Sequence, residues 1–103
     1  MIRVIATLEI APGRLDDFLS EFRKIVPLVR AEVGCRDYQP LVDLPTTLAA
    51  QEPLRQDRVT VVEQWDDLES LERHLAAPHM LEYRKRVKDL VQRASLRVLE
   101  PVA

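Results

Sequence analysis

Arg58–Trp65 reads RVTVVEQW, and this octapeptide constrains the fold more than any other stretch of the chain. Side chains alternate along a strand, so Val59, Val61, Glu63 and Trp65 share one face and Thr60, Val62 and Gln64 the other. Apolar residues stand on both faces, which predicts a strand covered on both sides. The chain has 103 residues, one domain by length. A core of that size buries roughly two-thirds of the unfolded surface. Its own helices suffice to cover one face of a sheet, and the other face calls for a partner.

The rest of the chain supplies the sheet and the helices. Ile2, Val4, Ala6, Leu8 and Ile10 alternate with polar residues and predict a first strand, ended by Pro12-Gly13. Leu15, Phe18, Leu19, Phe22, Ile25, Val26, Val29 and Val33 then follow helical spacing. Asp16 and Asp17 fall in the first turn, where the helix dipole favours them. Pro27 predicts a kink or the start of a second short helix, and Gly34 a C-cap. Arg36–Leu44 reads as an edge or bulged strand, because Pro40 cannot donate to a ladder. Pro45–Asp57 reads as a polar loop with one helical turn at Leu48-Ala49-Ala50, and it is expected to set the volume of any pocket. After Trp65, Asp66 or Asp67 caps a helix carrying Leu68, Leu71 and Leu75. Pro78 opens another, whose stripe is Met80, Tyr83, Val87, Leu90, Val91 and Ala94. Leu96–Val102 alternates as a last strand. The order predicts an α+β fold: a ferredoxin-like split βαβ, with a four-stranded antiparallel sheet and helices on one side. The bare sheet face, expected to carry Val62 and even-numbered residues of the first strand, predicts a homodimer packed sheet to sheet.

Composition removes several function classes. With 15 basic and 17 acidic residues the chain has no basic footprint for nucleic acid. Two glycines exclude a glycine-rich phosphate loop. One cysteine excludes an internal disulfide or a multi-thiolate metal site, and asparagine is absent altogether. No stretch reads as a signal peptide or a membrane span, so a cytoplasmic protein with a reduced Cys35 is expected, without a membrane partner.

Few residues are suited to chemistry. His74 and His79 flank the helix break, and a histidine exchanges protons near neutral pH. Tyr83 lies one turn beyond His79. Glu63 is a carboxylate on an apolar strand face, which demands a partner or a raised pKa. Trp65 shares that face, and Tyr38 lies on the second strand. Each has a plain structural alternative: core aromatics, a capped histidine, an ion-paired glutamate. The Arg84–Lys88 run, balanced by acids on the preceding helix, reads as a solvated face, and Cys35 as a small hydrophobe. The two histidines span a proline and lack a third ligand nearby, so no metal is expected.

Taken in order, Glu63-x-Trp65, His74-Leu75-x-x-Pro78-His79, the upstream VIA…APG, Glu32-Val33-Gly34-Cys35 with Tyr38, and the terminal VLEPV resemble the antibiotic biosynthesis monooxygenase domain family, including its small quinol monooxygenases. The likeness covers residues 1–103 as one domain. It implies a dimeric α/β barrel with a pocket between sheet and helices. It also implies a cofactor-independent monooxygenase that oxidises a quinol or polycyclic phenol with O2. In that reading His74 or His79 is the base, Glu63 orients it, Tyr38 and Tyr83 position the hydroxyls, and Trp65 stacks on the ring. Polyketide-oxidising and haem-degrading relatives use a pocket asparagine, so its absence points away from haem degradation. Two other readings share the fold. One is a non-catalytic dimeric ligand-binding module, which a filled pocket would favour. The other is an isomerase of a small phosphorylated sugar or lactone, which requires Arg84 and Arg86 to turn inward.

Overall fold

The computed structural model describes all 103 residues. Four strands, β1 (Ile2–Ile10), β2 (Cys35–Leu41), β3 (Arg58–Trp65) and β4 (Val91–Leu99), form one antiparallel sheet in the order β2-β3-β1-β4. Three helices, α1 (Leu15–Arg30), α2 (Leu68–Leu75) and α3 (Pro78–Val87), complete the ferredoxin-like α+β fold. Register places Val4 opposite Glu63 and Ala6 opposite Val61, so these residues look to the helices together. They pack with Phe18, Phe22, Ile25 and Val29 of α1 and with Met80, Tyr83 and Val87 of α3.

The bare face is therefore the odd-numbered one of β1. Val4, Ala6 and Ile10 are buried in the core, while Ile5 stands opposite Val62 on the other side. The even-numbered assignment inverted the strand: Ile2, Val4, Ala6, Leu8 and Ile10 make the apolar face of β1, which the chain's own helices cover, and the register with β3 leaves Ile5 beside Val62 on the bare side.

Three boundaries also move. α1 runs unbroken through Pro27 to Arg30. The proline sits in the last turn, where only one backbone bond is forfeited, and Val29 beyond it is fully buried. The helix ends at Ala31, so Gly34 is not its cap. Gly34 has φ +87°, and a Cβ there would lie 2.6 Å from Ser70 Cβ. It permits the turn after α1 to press against α2, and its carbonyl accepts from the Asp66 N–H at 2.9 Å. β4 begins at Val91, so Val91 and Ala94 belong to a strand and not to the helix stripe. Ala94, Leu96 and Val98 also alternate, and the open edge of β1 captures them. β4 closes at Leu99 and β2 at Leu41, each three residues before the expected end. Residues 48–51 make a single turn, Gln51 N–H to Leu48 C=O at 3.1 Å, without a helix. Asp67 rather than Asp66 caps α2, accepting from Ser70 N–H at 2.8 Å and from its hydroxyl at 2.7 Å.

Candidate active site

A cavity of about 350 Å³ lies between the helix-side face of the sheet and α2 and α3. Twelve of its 17 lining residues are hydrophobic, among them Phe22, Val61, Met80 and Val87. Its outer wall is β4, where Ala94 and Leu96 take part. The 42–57 segment contributes nothing to the lining, so the expectation that this loop sets the volume is corrected.

Tyr38, Glu63, His74 and Tyr83 line this apolar space, along with Arg84, Lys88 and Ser95. Sheet register sets Tyr38 directly beside Glu63. His74 enters from the last turn of α2 and Tyr83 from the middle of α3. Glu63 Oε1 accepts from Trp65 Nε1–H at 2.9 Å, which leaves its other oxygen without a protein partner. Neither tyrosine hydroxyl nor His74 Nε2 has one either, and no such atom is sealed away from solvent. The cavity is where they meet that solvent. Burial pushes both phenols well above the ordinary tyrosine range, so they remain hydrogen-bond donors.

His74 is anchored from behind. Its Nδ1–H donates to Glu32 Oε2 at 2.9 Å, and His79 Nε2–H donates to the same oxygen at 2.8 Å. A carboxylate oxygen only accepts, so this bond places the His74 proton on Nδ1 and leaves the Nε2 lone pair toward the cavity. The Trp65 ring lies 4.7 Å from the imidazole, centroid to centroid, and Tyr38 meets it edge-on at 5.6 Å. Burial lowers the His74 pKa below the usual histidine value, with the Glu32 hydrogen bond and charge acting against it. Burial likewise raises Glu63 to about 7, restrained by the Trp65 hydrogen bond and assisted by the charge of Glu32.

The arrangement differs from the sequence reading at three residues. Glu63 does not orient a histidine; Glu32 does. Trp65 is fully buried and lines no part of the cavity, so in this arrangement it packs on His74. His79 lies on the far side of Glu32, outside the cavity. Sequence reasoning missed Glu32 because it comes from the turn 42 residues before His74. Its signal was Gly34, which lets that turn approach α2. The expectation that the two histidines lack a third ligand is corrected with it: Glu32, His74 and His79 offer donor atoms within 4.8 Å of one another. The cavity is open rather than filled. Arg86 turns away to Glu21 at 3.0 Å, and Arg84 stays at the rim, its guanidinium donating to Leu75 C=O at 2.8 Å. No helix is long and apolar enough to cross a membrane.

Comparison with known proteins adds identity to geometry. The family model for antibiotic biosynthesis monooxygenase matches residues 1–86. The chain is 38% identical over 103 residues to a protein of Escherichia coli K12 named probable quinol monooxygenase YgiN, covering 98% of both chains. Among solved structures, PA3566 from Pseudomonas aeruginosa superposes with a TM-score of 0.81 at 29% identity, covering 99% of this chain and 94% of that one. Rv0793 from Mycobacterium tuberculosis gives 0.78 at 25% identity, covering 99% and 95%.

Proposed function

The chain belongs to the antibiotic biosynthesis monooxygenase family, and from that premise we propose that it oxidises a quinol or polycyclic phenol with O2, His74 acting as the base. The observation that carries this reading is the His74 imidazole: Nδ1–H held by Glu32, Nε2 directed to an apolar cavity. It supports proton abstraction from a phenolic hydroxyl. Tyr38 and Tyr83 hold the substrate oxygens as donors, and Glu63, with a pKa of about 7, takes or returns a second proton.

The resulting anion is electron-rich and reduces O2 without a cofactor. A quinol and O2 give a hydroxylated quinone and water. O2 accepts four electrons, one of its atoms entering the ring and the other leaving as water. The apolar walls keep bulk water from the anion and its oxygenated successor. Trp65 acts as a positioning residue behind His74. Mass spectrometry after turnover of a naphthoquinol such as menadiol under ¹⁸O2 tests the reaction. One labelled oxygen in the quinone product is expected. Unlabelled quinone formed at the uncatalysed rate overturns the proposal.

The functional unit in this reading is a homodimer. Ile5, Thr7 and Val62 on the bare sheet face are only half-buried by the chain itself, and Leu99 of β4, opposite Arg3 on that face, is 46% exposed. A second copy packed against this face removes that apolar surface from water.

A further inference from the structure

The carboxylate that anchors His74 also meets a second histidine, and hydrogen bonding alone does not call for two. Glu32 Oε2 stands 2.9 Å from His74 Nδ1 and 2.8 Å from His79 Nε2. Three donor atoms, from the turn after α1, from α2 and from α3, converge within 4.8 Å. Two imidazoles and one carboxylate are a ligand set for a borderline divalent ion, which prefers nitrogen over an all-oxygen shell. The cluster is reachable: the side chains of His74, Glu32 and His79 are 3%, 15% and 25% exposed, rising toward the surface. The packing that fixes His74, with Trp65 and Tyr38 against its ring, holds one ligand rigid.

We propose that Glu32, His74 and His79 form a binding site for a divalent transition-metal ion of the Zn²⁺ type, behind His74 and outside the cavity. A small rearrangement makes room for the metal: the two carboxylate–imidazole distances open from 2.8–2.9 Å toward the roughly 3.4 Å between ligands of a tetrahedral ion bound at about 2.1 Å, and the two imidazole nitrogens, already within 4.8 Å, settle to the same spacing. The metal takes the place of the proton on His74 Nδ1 and on His79 Nε2, and each proton moves through solvent to the other nitrogen of its ring. Water completes the coordination. The consequence for the cavity rests on the function proposed above. An imidazole ligated through Nδ1 carries its remaining proton on Nε2, so the nitrogen facing the substrate becomes a donor and ceases to be a base. Metal binding thus switches the site off.

Zinc titration against a chromophoric chelator tests the site without reference to activity. One Zn²⁺ per chain is expected, with Mg²⁺ failing to compete. Glu32→Gln and His79→Gln should each weaken binding by at least ~10-fold, and Cys35→Ser should leave it unchanged. Imidazole nitrogen NMR of the unsubstituted protein provides a reading that no folding defect disturbs: His74 and His79 resonances both shift at one equivalent of zinc. Absence of stoichiometric zinc, silent histidine resonances, or affinity that follows Cys35 overturns the proposal. Quinol oxidation that falls on zinc addition and returns with a chelator supports the switch. A protein that binds zinc at these residues but oxidises no quinol retains the site and refutes only the function.

Discussion

In the proposed reaction, His74 and Glu32 carry the chemistry at the scale of single residues. The proposed base has its tautomer fixed by a carboxylate 2.9 Å behind it and its ring packed by Trp65. Glu32→Gln still bonds Nδ1–H through its amide oxygen but withdraws the charge that stabilises the imidazolium. Turnover should fall by roughly 10-fold or more, with little change in KM, in steady-state O2 uptake. Glu63 makes its own prediction. Its pKa stands near 7 in the folded chain against an ordinary 4.5, so the unfolded chain ionises first. Folding stability is unaffected by this group below the unfolded pKa, declines as pH rises from there to about 7, and carries the full penalty above. Glu63→Gln keeps an acceptor for Trp65 Nε1–H and removes that penalty. Urea melts should show roughly 1–3 kcal/mol of added stability at about pH 8 and almost none at about pH 4. Glu63 announced itself in the sequence as a carboxylate on an apolar face. Glu32 did not, because a glutamate in a polar turn has no periodicity to offend.

At the scale of elements, short-range signals located the pieces and long-range contacts trimmed them. Asp67 was legible as a cap because a carboxylate before a helix meets free N–H groups. Asp67→Ala should cost about 1 kcal/mol in a thermal or urea melt, since Ser70 N–H and its hydroxyl both lose their acceptor. The start of β4 was not legible. Val87, Leu90, Val91 and Ala94 satisfy helical spacing, and only the unpaired edge of β1 decides for a strand. Gly34 was legible as a glycine needing a left-handed backbone, but its reason lies in α2. Gly34→Ala forces a Cβ to 2.6 Å from Ser70 Cβ at φ +87°. The loss should exceed ~2 kcal/mol, combining backbone strain and collision. Urea unfolding midpoints measure it, and nuclear Overhauser contacts between His74 and Glu32 should weaken in whatever fraction remains folded.

For the whole molecule, the two-sided apolar strand β3 remains the governing feature. One of its faces meets the helices and builds the cavity wall through Val61 and Glu63. The other, at Val62 beside Ile5, is the face on which the proposed homodimer packs. Light scattering should return twice the 11.9 kDa chain mass, and Val62→Asp should shift it toward one chain by placing a charge inside the proposed apolar interface. The central claim is that the cavity oxidises a quinol through His74. The direct measurement is initial O2 consumption with menadiol, in chelator-treated buffer, for the unsubstituted protein and His74→Ala at matched circular dichroism. The protein should consume O2 well above the uncatalysed rate, and His74→Ala should lower kcat by about 100-fold or more. Equal rates for the two proteins, or no rate above the uncatalysed reaction, would contradict the claim.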